Sequence, residues 1–423
     1  MKLYVLLSVF LYCYSIALFS QTSTSSESQM AWTKGWTNFD PNLEDYPEPE
    51  EILPNIIEND SYLKNDVVYL MSGNVYVVNN ATLTIEEGTI IRCDSENPAS
   101  LIITKGSKLI ANGSKGFPIV FTSNEKIKSR KAGDWGGIII AGSGKINSPA
   151  ISKIIEGNFL PQYSLYGGYQ ENEKTVEMSY VRIEYAGKKI NQSKELNGLS
   201  LYALGKNSIL NHIMVSYSAD DSFEYFGGSV DMNNLISYKA KDDDYDFTLG
   251  YNGELNNILA IRHPYISDIS GSYAIEADGY DKKDGFLNPA SLSQIKIKNA
   301  SLINLSDQKN YMHTTAAISS KNIARLHITE SKISGFANII KFDKSFTSYA
   351  DIEKCFLLEN SIFNVHDKAV KTAVQLNANP EKLLKYNMYT NSFKSVTDIF
   401  TDPLDKKHPK FNIKDPNNHT VMQ

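Results

Sequence analysis

From Val67 onward the apolar residues come in short β-branched bursts separated by Gly, Asn and Asp: "VYVV", "ATLTIEEGTII", "SLIITKGSKLIANG", "FPIVFTS", "WGGIIIAGSGKI". Helical periodicity is nearly absent and turn residues recur at short intervals, which predicts strands. Burst centres fall at Thr84, Ile103, Phe121 and Ile139, in steps of 19, 18 and 18 residues. A strand repeated at such a period predicts a β-solenoid. Further on, "LNHIMVSY", "MNNLISY" and "LNNILAI" align on Asn211, Asn233 and Asn256, and "NASLIN", "TESKIS" and "ENSIFN" on Ser301, Ser331 and Ser361. The longer steps predict the same strands with larger loops. An antiparallel sandwich would show hairpin turns and alternating polarity. The expected fold is therefore all-β, a single-stranded right-handed parallel β-helix with capped ends and roughly a dozen rungs, in which the recurrent Asn faces inward and bonds to the next rung.

Met1-Lys2 followed by "LYVLLSVFLYCYSIALFS" has the form of a signal peptide, expected over 1–20. Residues 21–66 read as an extended N-terminal arm, 67–370 as the β-helix and 371–423 as a C-terminal cap. Arm and cap are the natural covers for the two open sheet edges. A net charge of −6 offers no basic surface for nucleic acid, and no later segment suits a transmembrane span. Beyond the leader only Cys93 and Cys355 remain, expected as free buried thiols in a secreted or cell-surface protein.

"GDWGGIIIAG", "VRIEYAG", "ELNGLSLYALG", "VSYSADDSFEYFGG" and "KDDDYD", in this order and spacing, resemble a family of secreted bacterial right-handed parallel β-helix proteins. The resemblance covers about 36–264 and implies fold and export. The biochemical role of that family is not settled, so it assigns no catalytic residue. More distantly the architecture is similar to that of pectate lyases and polygalacturonases, a likeness of fold alone.

Two aspartate bursts, Asp220-Asp221 and Asp242-Asp243-Asp244, stand 22 residues apart, nine and ten places beyond the aligned Asn211 and Asn233. Equivalent places on adjacent rungs lie about 5 Å apart, where ionised carboxylates repel unless a cation, a raised pKa or outward splay relieves them. Three readings fit. Asp220, Asp221, Asp242, Asp243 and Asp244 could bind calcium, a hard cation that takes oxygen ligands. Asp243 and Glu224 could act as acid and base on a glycosidic bond, with Arg262 taking a proton from a calcium-held uronate. Or the aspartates only end strands and bond turns, with Arg262 as their ion-pair partner. Tyr225, Tyr245 and His263 are candidate substrate contacts, since sugars stack on aromatic rings. The leading expectation is a calcium-assisted protein that binds or degrades an extracellular acidic polysaccharide. The other is a non-catalytic surface or adhesion protein, meeting outer-surface proteins, with a structural acidic cluster.

Overall fold

Alternation inside each burst decides which side chains turn inward. In 223–226 and 245–248, Phe223, Tyr225, Tyr245 and Phe247 are fully buried while Glu224 and Asp246 stay partly open. The computed structural model describes residues 30–414 apart from 98, 192–193, 269–270, 285–287, 310 and 312–314. The expected signal peptide and the last residues of the expected cap lie outside these.

The strands wind as a right-handed parallel β-helix. An eleven-stranded parallel sheet forms one face, and a seventeen-stranded sheet wraps the other two. The second sheet is continuous because strands such as Val176–Glu184, Ile209–Ser216, Met232–Tyr238, Asn252–Arg262 and Gln294–Asn304 run straight through the corner between those faces. Each bends at one left-handed residue: Tyr180, His212, Asn234, Asn257 and Asn299, with φ between 51° and 57°. Asn tolerates this conformation better than other residues with a Cβ. It also bonds along the stack: Asn234 donates to Asn211 at 2.8 Å, Asn257 to Asn234 at 3.0 Å, and Asn299 to Asn257.

Asn211, Asn233 and Asn256 are indeed in register. The ladder itself runs through the next residue, at the bend, and is half-buried, not interior. The period near 20 was an alias. Thr84 pairs with Ile110 and Ile91 with Phe121, so one plain coil runs from Thr84 to Ile110 and takes in three strands. The shorter apparent steps pass over the strands Ile90–Cys93 and Lys108–Asn112. Ser301 pairs with Lys332, one place off the expected Ser331.

Strands 51–52, 56–57 and 61–63 already pair with the next coil, so winding begins before residue 67. Strand 388–391 carries it past 370. Leu384 of the expected cap, with Leu376 and Leu383 beside it, packs on the interior core, whereas the arm and the C-terminal hairpin, strands 400–402 and 410–413, meet elsewhere. They lie side by side on the outer face of the large sheet, where Trp36, Phe39, Phe400 and Phe411 cover Met214, Ile236, Leu259, Ile261 and Ile303. Those outward positions are apolar, and their burial drives the arrangement. Arg92 and Arg130 fasten the arm through its carbonyls, at Pro47 and at Pro41 and Glu44. Cys93 and Cys355 are both free, Cys93 buried and Cys355 half-buried. Among the described residues no helix is long and apolar enough to cross a membrane.

Replacing Asn257 by Gly keeps the bend but removes its side-chain bonds, and by Ala removes the bonds and adds left-handed strain. Calorimetric melting should drop for both, by a stability loss of about 1–2 kcal/mol for Gly and about 1 kcal/mol more for Ala. A Gly variant melting with the parent would refute the ladder's contribution.

A candidate carboxylate site on the eleven-stranded sheet

Register on the eleven-stranded face stacks Ser200, Glu224, Asp246 and Glu276 in one outward column. Neighbouring residues in such a column stand about 4.8 Å apart. The loops that lead into these strands bring a second column beside the first. Asp221 accepts the Asp243 amide at 2.8 Å, and Asp243 accepts the Tyr273 amide at 2.5 Å, so each aspartate ties the rung that follows. The turn-bonding role is therefore real, and it engages one oxygen of each of these two residues.

Together the columns form a continuous belt of seven carboxylates. Ligand-type oxygens of Asp220, Asp221 and Asp242 lie within 4.8 Å of one another, as do those of Asp221, Glu224 and Asp246, and of Asp243, Asp246 and Glu276. Two hairpins, 153–154 with 165–166 and 189–191 with 194–195, rise beside it. Glu156 and Glu195 from these hairpins join Asp220, Asp221, Glu224 and Asn197 in lining a cleft of about 180 Å³.

Burial, followed by like charge, pushes the pKa of Asp220, Asp221, Glu224, Asp243 and Asp246 well above the ordinary carboxylate range. Asp242 rises from 3.8 to about 6 through burial and the nearby Asp268 and Glu276. Among the described residues one ion pair answers the belt directly: Lys321, on the strand after Glu276, meets the Glu276 carboxylate, and although burial lowers the lysine's pKa, Glu276 together with Asp246 and Asp243 raises it. Asn197 donates to Glu224.

Several expected site residues lie elsewhere. Arg262 is fully buried and ion-paired to Asp244 at 2.9 Å, and it donates to the carbonyls of Tyr273 and Asp242 at 2.8 and 2.6 Å. It staples the loop under the belt and cannot reach a substrate. Asp244, held by Arg262 and Ser237, is likewise no metal ligand. Tyr225 and Tyr245 face inward, stacked on Phe247 at 4.6 Å and on Phe223 at 5.1 Å, so they cannot touch a sugar. Their strand alternation was the missed signal. His263 sits beyond the corner, half-buried, with Tyr265, Lys239 and Asp307 as its neighbours in place of the belt. Asp220, Asp221, Asp242, Asp243 and Glu224 are brought together. Asp246, Glu276 and Lys321 were not foreseen. Asp246 follows Glu224 at the same interval that flagged the aspartate bursts. Glu276 pairs with Asp246 but lies beyond a longer loop, which breaks that interval.

The donor set suits a hard divalent cation: all oxygen, no sulphur, several carboxylates within one coordination radius. Asp242 Oδ1, Asp246 Oδ1 and Asn197 Oδ1 are buried without a hydrogen-bond partner, a cost that a cation would remove. Calcium therefore fits, with Asp220, Asp221, Asp242, Asp243, Glu224, Asp246 and Glu276 as the residues to hold it.

The parallel β-helix defines the class of the fold. The sequence matches the model of the pectate-lyase-like β-helix domain over residues 55–400, so the chain belongs to that family. Among solved structures it is similar to pectate lyase Pel9A, with 10% identity, a TM-score of 0.34, and coverage of 90% of this chain and 94% of that one. No curated protein matches.

An acid with a raised folded-state pKa holds extra protons when folded, so stability falls as pH rises through the window from its unfolded to its folded value. For Asp242 that window runs from 3.8 to about 6, and the more strongly shifted acids extend it upward. In EDTA the melting temperature should fall between about pH 5 and about pH 8, and calcium should restore it at the upper pH with little effect at the lower. Asp246→Asn should flatten both responses. A melting temperature insensitive to calcium at both pH values would exclude the metal.

Proposed function

We propose that this is an exported protein that binds an extracellular acidic polysaccharide through calcium held on the carboxylate belt. The observation that carries this reading is the belt itself: seven partly or fully buried carboxylates on successive rungs, with orphaned oxygens at Asp242 and Asp246. Left bare, such a surface repels a polyanion. With calcium held by these residues, the belt would supply a positive bridge to the carboxylates of the polymer. Membership of a pectate-lyase-like family supports a polysaccharide as the partner, and the leader-like stretch at 1–20 supports export.

The chain's own residues favour binding over cutting. Eliminative cleavage needs a base beside the acidified proton. Arg262 is sealed under the belt, and Lys321 is held protonated by Glu276. Calcium would supply charge neutralisation and a bridge to the sugar carboxylate. Asn197 and Ser200 line the cleft, with Asn197 bonded to both Ser200 and Glu224. Hydrolysis is the second reading, favoured by the adjacent Glu224 and Asp246, whose raised pKa values keep protons available at neutral pH.

Purified protein should be retained on acidic polysaccharides in calcium and released by EDTA, with no rise in unsaturated products or reducing ends. Reducing ends that rise in EDTA and vanish in Glu224→Gln would establish hydrolysis instead. A calcium-dependent rise in unsaturated products lost in Lys321→Ala would establish a lyase. Absence of retention on every polymer would remove the proposal.

A further inference from the structure

The outward column of the eleven-stranded sheet does not end at Glu276. Register continues it through Ser319 to Lys341 and then Lys371. The column thus changes sign within two rungs, roughly 10 Å at the usual strand spacing. Ile340, Phe342 and Val370 on these strands face inward, so Lys341 and Lys371 stand outward by the same alternation that exposes Glu224 and Asp246. Beside them the end of the last strand and the chain after it, 372–381, line an open cleft of about 760 Å³. That volume is in the range of small-molecule sites.

Lys341, Lys368 and Lys371 supply the charge of this cleft, and Val370, Leu376 and Pro380 supply apolar walls. Its one lining acid, Glu381, already accepts the Ala369 amide at 3.1 Å. Lys371 pairs with Asp367 at 3.0 Å, an exposed contact that an incoming anion can replace. Lys341 and Lys368 have no carboxylate partner among the described residues. A basic pocket with aliphatic walls, in line with the acidic belt on the same face, is built for an anionic sugar: charge for the acid group, apolar surface for the ring.

We infer that Lys341, Lys368 and Lys371 form a second, cation-independent subsite for an anionic saccharide unit, carboxylated or sulphated, so that one polymer lies along the solenoid axis with different anchoring at its two ends. The choice of ligand rests on the polysaccharide reading above; the site does not depend on calcium.

The test is calorimetric titration in EDTA with two probes, an oligouronate and a sulphated oligosaccharide of similar length, on wild type, Lys341→Glu/Lys371→Glu and Asp246→Asn. Wild type should bind at least one probe, more weakly as salt rises. The double lysine variant should bind it about tenfold or more weakly while keeping its melting temperature and its response to calcium alone, whereas Asp246→Asn, which removes a charge that repels the probe, should bind at least as tightly as wild type. Preference between probes identifies the acid group. No binding in EDTA, or equal binding by the lysine variant, overturns the inference. A protein that binds in EDTA through the lysines but ignores calcium leaves the subsite standing and removes only the calcium reading.

Discussion

In a parallel stack every residue lies about 4.8 Å from its counterparts on the rungs above and below, so each column of the sequence interacts chiefly with itself. Columns of like character then meet different fates. Phe223 with Tyr245 and Tyr225 with Phe247 stack face to face and fill the interior. Asn234, Asn257 and Asn299 satisfy one another at the bend. Glu224 and Asp246 can do neither: the same register that serves the other columns brings their charges together, beside a Glu276 paired with Lys321, and that forces protonation or a cation.

The belt persists because the layer beneath it is rigid. Arg262 reaches from the end of strand 252–262 to hold Asp244 and two carbonyls of the loops that carry the belt. Removing one partner of such a buried pair costs about 3–5 kcal/mol, so the staple holds the neighbouring aspartates at fixed positions. Asp221 and Asp243 add their own bonds to the next rung. Arm and hairpin brace the opposite side, where outward residues are apolar and the chain covers them with its own termini. One face of the large sheet is thereby covered over several rungs, and the eleven-stranded face keeps its charged columns open.

The solenoid was legible because burst and turn signals recur. The acidic rungs were legible because their coils are nearly equal in length, with Asn211, Asn233 and Asn256 falling opposite one another. Where coils vary, the reading slipped. The short apparent period passed over strands, and Glu276 was missed because a longer loop separates it from its partner Asp246. Direction was the harder matter. Tyr225 and Tyr245 alternate with Glu224 and Asp246, so two tyrosines expected on sugar are core residues, while Asp246 was overlooked beside one of them. The burial of Arg262 depends on how a strand end meets the loop of another rung, which spacing along the chain does not encode. The arms follow from apolar outward positions such as Ile236 and Leu259, whose partners lie far away along the chain at both termini.

The central claim is that stacking concentrates these carboxylates for a divalent cation. Anomalous diffraction from a crystal grown with calcium at neutral pH tests it most directly. The account predicts density among Asp220, Asp221, Glu224, Asp242, Asp243, Asp246 and Glu276, with none beside Asp244. A map with no ion in the belt, or with the ion elsewhere on the surface, would contradict it.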